Sequence, residues 1–212
     1  MKLRTGVSES TLPTPRDAEI ASPDDPLDES LLSPRGKLYS PQQRAALMAS
    51  LLREIDWQYD YFVLGRRFEV PRLQAWYADS GAHYRYADNF LRHQAWIPSL
   101  LSIKHDVENK TGYGFNSVLV TCYRNGGDHV TLHADDEKEL GASPVIASLS
   151  LGATREFHYR HKQSGETRRT PLHDGDLLVM HPAFQHEWEH CVPVEPSIST
   201  PRINLTFRKV YV

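Results

Sequence analysis

The second half of the chain shows the alternation of apolar and polar residues that is typical of short β-strands. From Phe115 onward, β-branched and aromatic residues recur in eight short runs separated by turn-forming residues. The runs are FNSVLVTCYR, HVTLHADD, VIASLSLGA, REFHYRHK, TRRTPL, DLLVMH, HEWEHCVPV and RINLTFRKVYV. Tight turns are predicted at Gly126-Gly127, Ser164-Gly165 and Asp174-Gly175. This spacing predicts a mainly β fold with flanking helices and a double-stranded β-helix (jelly-roll) core.

Two helices are predicted ahead of these strands. The first begins at Ser40-Pro41, with serine at the N-cap, and ends near Trp57. Its apolar residues recur at fourfold spacing, at Leu47, Leu51 and Ile55. The second helix runs from Pro98 to about Lys110 and stops before Gly112. Its predicted buried stripe consists of Leu100, Leu101, Lys104 and Val107.

Composition divides the chain into a tail and one domain. Residues 1–36 are rich in Ser, Thr, Pro and Asp and lack an apolar period, so we predict a disordered acidic tail there and a single domain over residues 37–212. Residues 1–30 hold seven acidic and three basic residues, a charge of −4, which leaves +1 for the rest of a chain whose total is −3. Net charge therefore gives no argument for a nucleic acid partner. With no long apolar stretch and no secretory pattern, a cytoplasmic location is expected.

The HxD motif His133-Ala134-Asp135 is a candidate metal site. Residues one apart on a strand point to the same face, so the imidazole and the carboxylate converge. A third ligand could come from His181, His186 or His190. Two histidines and one carboxylate on one face of a metal leave three open positions, as iron(II) oxygenases require. A surface histidine beside a solvated aspartate is the commoner meaning of this motif alone.

The last predicted strand adds a second polar feature. Strict alternation places Arg202, Asn204, Thr206 and Arg208 on one side of this strand. In an ordinary half-buried strand that side faces water. Two arginines that bracket Asn and Thr also form a ladder of donors suited to a small dicarboxylate, because each guanidinium can bind a carboxylate through two hydrogen bonds.

The HxD motif, a distal histidine and the RxNxTxR block, in this order, resemble the AlkB family of Fe(II)/2-oxoglutarate-dependent nucleic acid demethylases, nearest its double-strand DNA repair branch. The resemblance spans roughly Gly65 to Val210 and includes PRLQAWYAD, WIPSLL and PRINLTFRKV. It implies Fe(II), 2-oxoglutarate as cosubstrate and O2. It also implies that His133, Asp135 and His190 are the catalytic iron ligands. His186 is the rival, because strict alternation would place it on the same face as His190.

The resemblance assigns the cosubstrate site as well. It implies that Arg202 and Arg208 clamp 2-oxoglutarate, that Asn204 and Thr206 line the clamp, and that Tyr123 donates to the same molecule. Thr121 departs from the family pattern, which usually has Asn at this position.

The implied activity is oxidative demethylation of N-alkylated bases in nucleic acid, in DNA repair, coupled to decarboxylation of 2-oxoglutarate to succinate and release of formaldehyde. One alternative is the same chemistry on RNA, free nucleotides or protein. Another is a non-catalytic jelly-roll module that binds damaged nucleic acid, and a third is a zinc hydrolase; neither needs the arginine ladder. The expected partner is alkylated DNA, or RNA in the first alternative, and the expected state is a monomer.

Further residues are assigned to the nucleic acid. A base must leave the helical stack to reach a buried iron, so aromatic and apolar side chains should line the entrance. The resemblance implies that Tyr86 and Asp136 contact the base and that Leu64 enters the gap that it leaves, and Arg72, Gln74 and Tyr84 are further candidates for the same entrance. The candidates for backbone phosphate contact lie around the Ser164-Gly165 turn and are Arg160, His161, Lys162, Arg168 and Arg169.

Overall fold

Two antiparallel sheets form the body of the protein, in a computed structural model that describes residues 27–63, 66–82, 85–86, 89–90 and 92–211. The major sheet comprises β1 (Leu32–Lys37), β2 (Gln58–Val63), β3 (Arg66–Ala78), β6 (His93–Gln94), β7 (Ser117–Tyr123), β9 (Ile146–Gly152), β12 (Asp176–Met180) and β14 (Arg202–Arg208). The minor sheet comprises β8 (Val130–His133), β10 (Arg155–His161), β11 (Thr167–Leu172) and β13 (Trp188–Val192). Strands β4 (Arg85–Tyr86) and β5 (Asn89–Phe90) pair antiparallel with each other.

The strand order describes which strands are neighbours in each sheet. The major sheet runs β1-β12-β9-β14-β7-β3-β2, with β6 paired in parallel to the end of β3, and the minor sheet runs β11-β10-β13-β8. The eight predicted strands correspond to β7 through β14. Gly165 and Gly175 occupy the predicted turns with φ of 75° and 86°, a region that favours glycine. The prediction of a mainly β jelly-roll fold is confirmed.

Both predicted helices are present. Helix α1 (Pro41–Glu54) begins where expected, with the Ser40 hydroxyl accepting a hydrogen bond from the Gln43 backbone N–H, and it ends three residues before Trp57. Helix α2 (Pro98–Thr111) ends at Gly112, whose φ of 78° provides a left-handed cap. The predicted stripe of α2 is wrong at Leu101, which is 46% exposed, because Ile103 takes the buried position instead.

The two faces of the major sheet have different neighbours. On one face, Ile203, Leu205 and Phe207 of β14 join a core with Leu51 of α1 and Val107 of α2. On the other face, the polar side chains of β14 line a cavity shared with residues of the minor sheet. The alternation of β14 therefore separates a helix-covered core from an interior polar site and does not separate core from water.

Residues 1–26 of the predicted tail lie outside the described residues, and the end of the predicted tail overlaps strand β1. Residues 32–36 belong to β1, which pairs with β12, and Leu32 lies opposite Met180 with 2% of its side chain exposed. The prediction of disorder is therefore wrong for Leu32–Gly36, because an edge strand can be ordered by the sheet that it joins whatever its own composition. Within the described residues, no helix has both the length and the apolar character needed to cross a membrane.

Several elements before residue 115, and one after it, were not predicted. Strand β3 contains Pro71 between Glu69, which pairs with β2, and Leu73, where pairing with β7 begins, and a proline inside a run argues against a central strand. Helix α3 (Pro182–Glu187) interrupts the last-but-one predicted strand, so strand β13 begins only at Trp188.

Candidate active site

Strands β8 and β13 bring together the three predicted metal ligands. His190 lies directly opposite His133 in the ladder, and Asp135 follows two residues after the end of β8. One ligand atom from each of these side chains lies within 4.8 Å of the others. The distance from His190 Nε2 to Asp135 Oδ2 is 3.8 Å. The geometry is that of a facial triad of two imidazoles and one carboxylate.

The charge states of the triad suit a divalent metal. Burial lowers the pKa of His190 to about 3 and also lowers the pKa of His133, so both imidazoles are neutral at neutral pH. Burial alone would raise the pKa of Asp135. Arg208, followed by the two histidines, lowers this pKa by more than burial raises it, so the net shift is downward. A proton on His133 Nδ1 would donate to the Thr131 carbonyl oxygen, 2.9 Å away, which leaves Nε2 for a metal.

The other two candidate histidines lie apart from this triad. His186 is exposed in the last turn of α3, so the period of two does not extend back from Trp188 to it. His181 precedes α3, and its Nε2 lies 2.7 Å from the Ser33 hydroxyl of β1. The structure thus places His190, and neither His181 nor His186, beside His133 and Asp135.

A cavity extends from the triad between the two sheets and reaches Arg202. Arg202 is 1% exposed, and its Nη2 donates to Ser150 Oγ at 2.9 Å and to Asn204 Oδ1 at 2.8 Å. Within the described residues, its Nε and Nη1 have no hydrogen-bond partner. Burial lowers the pKa of Arg202 to about 10, so the guanidinium remains charged at neutral pH. A buried cation with two unused donors fits a carboxylate ligand.

Tyr123 lies beside this guanidinium. The Arg202 Cζ atom is 5.4 Å from the centre of the Tyr123 ring, and Arg155 approaches the same ring at the same distance. Burial raises the pKa of Tyr123 although the neighbouring arginines oppose this shift, so the phenol keeps its proton and can donate. Arg155 was not identified from the sequence, where nothing separates it from other arginines.

Arg208 has a different neighbour from Arg202. Its Nη2 donates to Asp135 Oδ1 at 2.6 Å, and both side chains are almost fully buried. Arg208 lines the same cavity, but at the end where the metal ligands lie. Both predicted clamping arginines therefore line the cavity, Arg208 bonded to the carboxylate of Asp135 and Arg202 beside Tyr123. Their binding of 2-oxoglutarate stays a prediction.

The remaining residues of the polar ladder hydrogen-bond to one another. Asn204 Nδ2 donates to Thr206 Oγ1 at 2.8 Å, and the Ser148 hydroxyl donates to Asn204 Oδ1 at 3.0 Å. Thr121 lies opposite Asn204 in the register of β7 and β14, is buried, and lines the cavity. This ladder forms the cavity wall along the major sheet.

The predicted base-contacting residues are dispersed. Arg72 lines the cavity, with Nη1 donating to the His129 carbonyl oxygen at 3.1 Å, and Gln74 is buried opposite Thr121. Asp136 is exposed and forms an ion pair with Lys162 at 3.0 Å. Leu64, Tyr84 and the side chain of Tyr86 lie outside the described residues.

The basic hairpin of β10 and β11 does not form one continuous cationic face. The ion pairs are Arg160 with Glu189, Arg168 with Glu166 and Lys162 with Asp136. Arg168 lies opposite the buried Tyr159 and approaches the Trp188 ring, and His161 packs against the same ring. Arg169 is exposed and forms no ion pair within the described part of the chain.

The fold and the site define an iron- and 2-oxoglutarate-dependent oxygenase. The model of the 2OG-Fe(II) oxygenase superfamily matches residues 34–208, and the chain belongs to this superfamily. The enzyme therefore uses Fe(II), 2-oxoglutarate and O2, as the resemblance implied.

Comparison with individual proteins narrows this class. The chain is 41% identical over 177 residues to "DNA oxidative demethylase ALKBH2" of Homo sapiens, covering 76% of this chain and 67% of that one. It is 40% identical over 177 residues to "Alpha-ketoglutarate-dependent dioxygenase alkB homolog 3" of Bos taurus, covering 78% and 61%. The solved structure of OsALKBH1 shares the fold, with a TM-score of 0.56 at 19% identity, covering 84% of this chain and 97% of that one. The chain is a member of the AlkB family, near the ALKBH2 branch.

Proposed function

We propose that this enzyme removes alkyl groups from N-alkylated bases of DNA by oxidative demethylation. The observation that carries the proposal is the buried Arg202, which presents two unused donors to a cavity that ends at the His133, Asp135 and His190 triad. A protein that only binds nucleic acid has no need of this cation in its interior. The names of the human and mouse relatives, both DNA oxidative demethylases, support DNA as the substrate.

The chain's own residues hold and orient the reagents. His133, Asp135 and His190 would hold iron from one side, and Arg208 fixes the carboxylate of Asp135. Arg202 and the phenol of Tyr123 would bind a carboxylate of 2-oxoglutarate. When bound, iron, 2-oxoglutarate and O2 supply the oxidation that yields succinate and carbon dioxide and hydroxylates the N-methyl carbon, which is lost as formaldehyde. The ring of Phe157, 5.2 Å from that of His190, adds an apolar wall beside the triad.

The direct test measures succinate formation and loss of the methyl group together. Iron-loaded protein is incubated with 2-oxoglutarate and with methylated DNA or RNA oligomers, and both products are followed by mass spectrometry. We expect one succinate for each methyl group lost, with DNA as the better substrate. Succinate formation without demethylation would support the oxygenase activity but contradict nucleic acid as the substrate. Preferential loss of methyl groups from RNA would favour RNA as the substrate.

Arg169 of the basic hairpin, which is exposed and outside the ion pairs found among the described residues, gives a second prediction. Replacing Arg169 with alanine should weaken DNA binding roughly a few-fold and lower the slope of log affinity against log salt by about 1, as expected for one lost phosphate contact. Lys110→Ala is the matched control, because this exposed lysine lies on α2, which covers the other face of the major sheet. Fluorescence anisotropy at several salt concentrations measures both values. An unchanged slope for Arg169→Ala would show that this side chain does not contact a DNA phosphate and would contradict the proposed role of the hairpin. A monomeric state and a cytoplasmic location stay predictions.

A further inference from the structure

Helix α3 lies between β12 and β13 and carries a buried polar side chain that the sequence did not single out. Gln185 is 0% exposed, although it lies in a helix of only six residues, next to the exposed His186. The helix ends at Glu187, three residues before the metal ligand His190. A buried carboxamide needs partners for both of its polar atoms, so the contacts of Gln185 indicate why it is there.

The side-chain oxygen of Gln185 is bonded to the backbone of a metal ligand. Its Oε1 accepts a hydrogen bond from the Asp135 backbone N–H at 2.9 Å, and its Nε2 lies 3.7 Å from the sulfur of Met180. Strand β8 ends at His133, so the amide of Asp135 lies beyond the ladder that pairs β8 with β13. The Gln185 side chain therefore satisfies a buried amide that the sheet does not reach.

A second connection joins the same two segments. Lys162 Nζ donates to the Gln185 carbonyl oxygen at 2.9 Å and forms an ion pair with Asp136 at 3.0 Å. Asp135 is thus tied to Gln185 through its backbone amide, and Asp136 is tied to the same residue through its carboxylate and Lys162. Arg208 holds the carboxylate of Asp135 by a separate contact to its Oδ1.

We propose that Gln185 is a positioning residue for the metal site. It does not contact the metal; it holds the main chain of Asp135 so that the carboxylate faces His133 and His190. Main chain and carboxylate are then fixed independently, by Gln185 and by Arg208, and the ligand is preorganised before metal binds. The inference rests on the metal site of the proposed function and adds a residue that determines its geometry.

The test measures metal affinity in the absence of 2-oxoglutarate and nucleic acid. Gln185→Met keeps the length of the side chain but removes the acceptor, and we expect its affinity for Mn(II) or Co(II) to fall about 10- to 100-fold, with a changed visible absorption spectrum of the Co(II) form. The control is Val107→Ala, which opens space in the core beneath the helices and should lower thermal stability without changing metal affinity or the Co(II) spectrum. Titrations are made at a temperature where every variant is folded, as judged by circular dichroism.

A conservative variant keeps the test decisive if Gln185→Met does not fold. Gln185→Glu retains an oxygen that can accept from the Asp135 amide, so it should bind metal more tightly than Gln185→Met and more nearly like the parent protein. Parent-like affinity and spectrum in Gln185→Met would overturn the inference, as would equal weakening in Gln185→Glu. A parent protein that binds neither metal would instead refute the metal site itself, so the two failures can be told apart.

Discussion

Replacement of His190 by alanine is expected to abolish iron-dependent succinate formation, whereas replacement of His186 leaves it unchanged. His190 is buried, its imidazole is held neutral, and it lies opposite His133 in the ladder of β8 and β13. His186 is exposed in the last turn of α3. Loss of a residue bound to a metal ligand costs about 10- to 100-fold in affinity, and loss of a ligand itself should exceed that.

Metal content and turnover are measured side by side for this pair of variants. His190→Ala should retain little iron after gel filtration, and His186→Ala should retain one equivalent, with circular dichroism showing that both are folded. The opposite pattern would make His186 the third ligand. Retention of iron by both variants would show that neither histidine is essential to the site.

The strands that build the site could be predicted because each has its own alternation and its own boundary. The run Arg202–Arg208 alternates strictly, and a strand of this kind assigns its side chains to two faces without knowledge of its partners. The run Ser117–Tyr123 is recognised by its apolar and β-branched residues instead. Strand β3 was not predicted, because Pro71 lies inside it and a proline argues against a central strand. Strand β1 was missed because its order comes from pairing with β12 and not from its own composition.

The site itself was only partly accessible from the sequence. His133 and Asp135 converge as predicted, although Asp135 lies beyond the end of β8 and not on the strand itself. Alternation placed the RxNxTxR residues on one side of β14, but it could not choose between His186 and His190. That choice depends on α3, a helix too short to have a recognisable apolar period. The contact between Arg208 and Asp135 joins residues 73 positions apart in sequence, and only the packing of β14 against the end of β8 brings them together.

The different surroundings of the two arginines lead to the last prediction. Arg202→Leu should raise the concentration of 2-oxoglutarate needed for half-maximal activity by roughly 30-fold or more, because removing one partner of a buried, hydrogen-bonded charge pair costs about 2 to 5 kcal/mol. Affinity for Mn(II) should not change, since Arg202 contacts Ser150, Asn204 and Tyr123 and not the triad.

Arg208→Leu provides the contrast, because Arg208 donates to Asp135 and its loss should change metal affinity as well. Arg202→Lys tests geometry separately from charge: it keeps the cation but loses the planar fork, and should restore only part of the affinity for 2-oxoglutarate. Isothermal titration of the Mn(II)-loaded variants with 2-oxoglutarate measures binding without turnover. Normal 2-oxoglutarate affinity in Arg202→Leu would mean that the cosubstrate carboxylate binds elsewhere in the cavity, and the division of labour between the two arginines would then have to be abandoned.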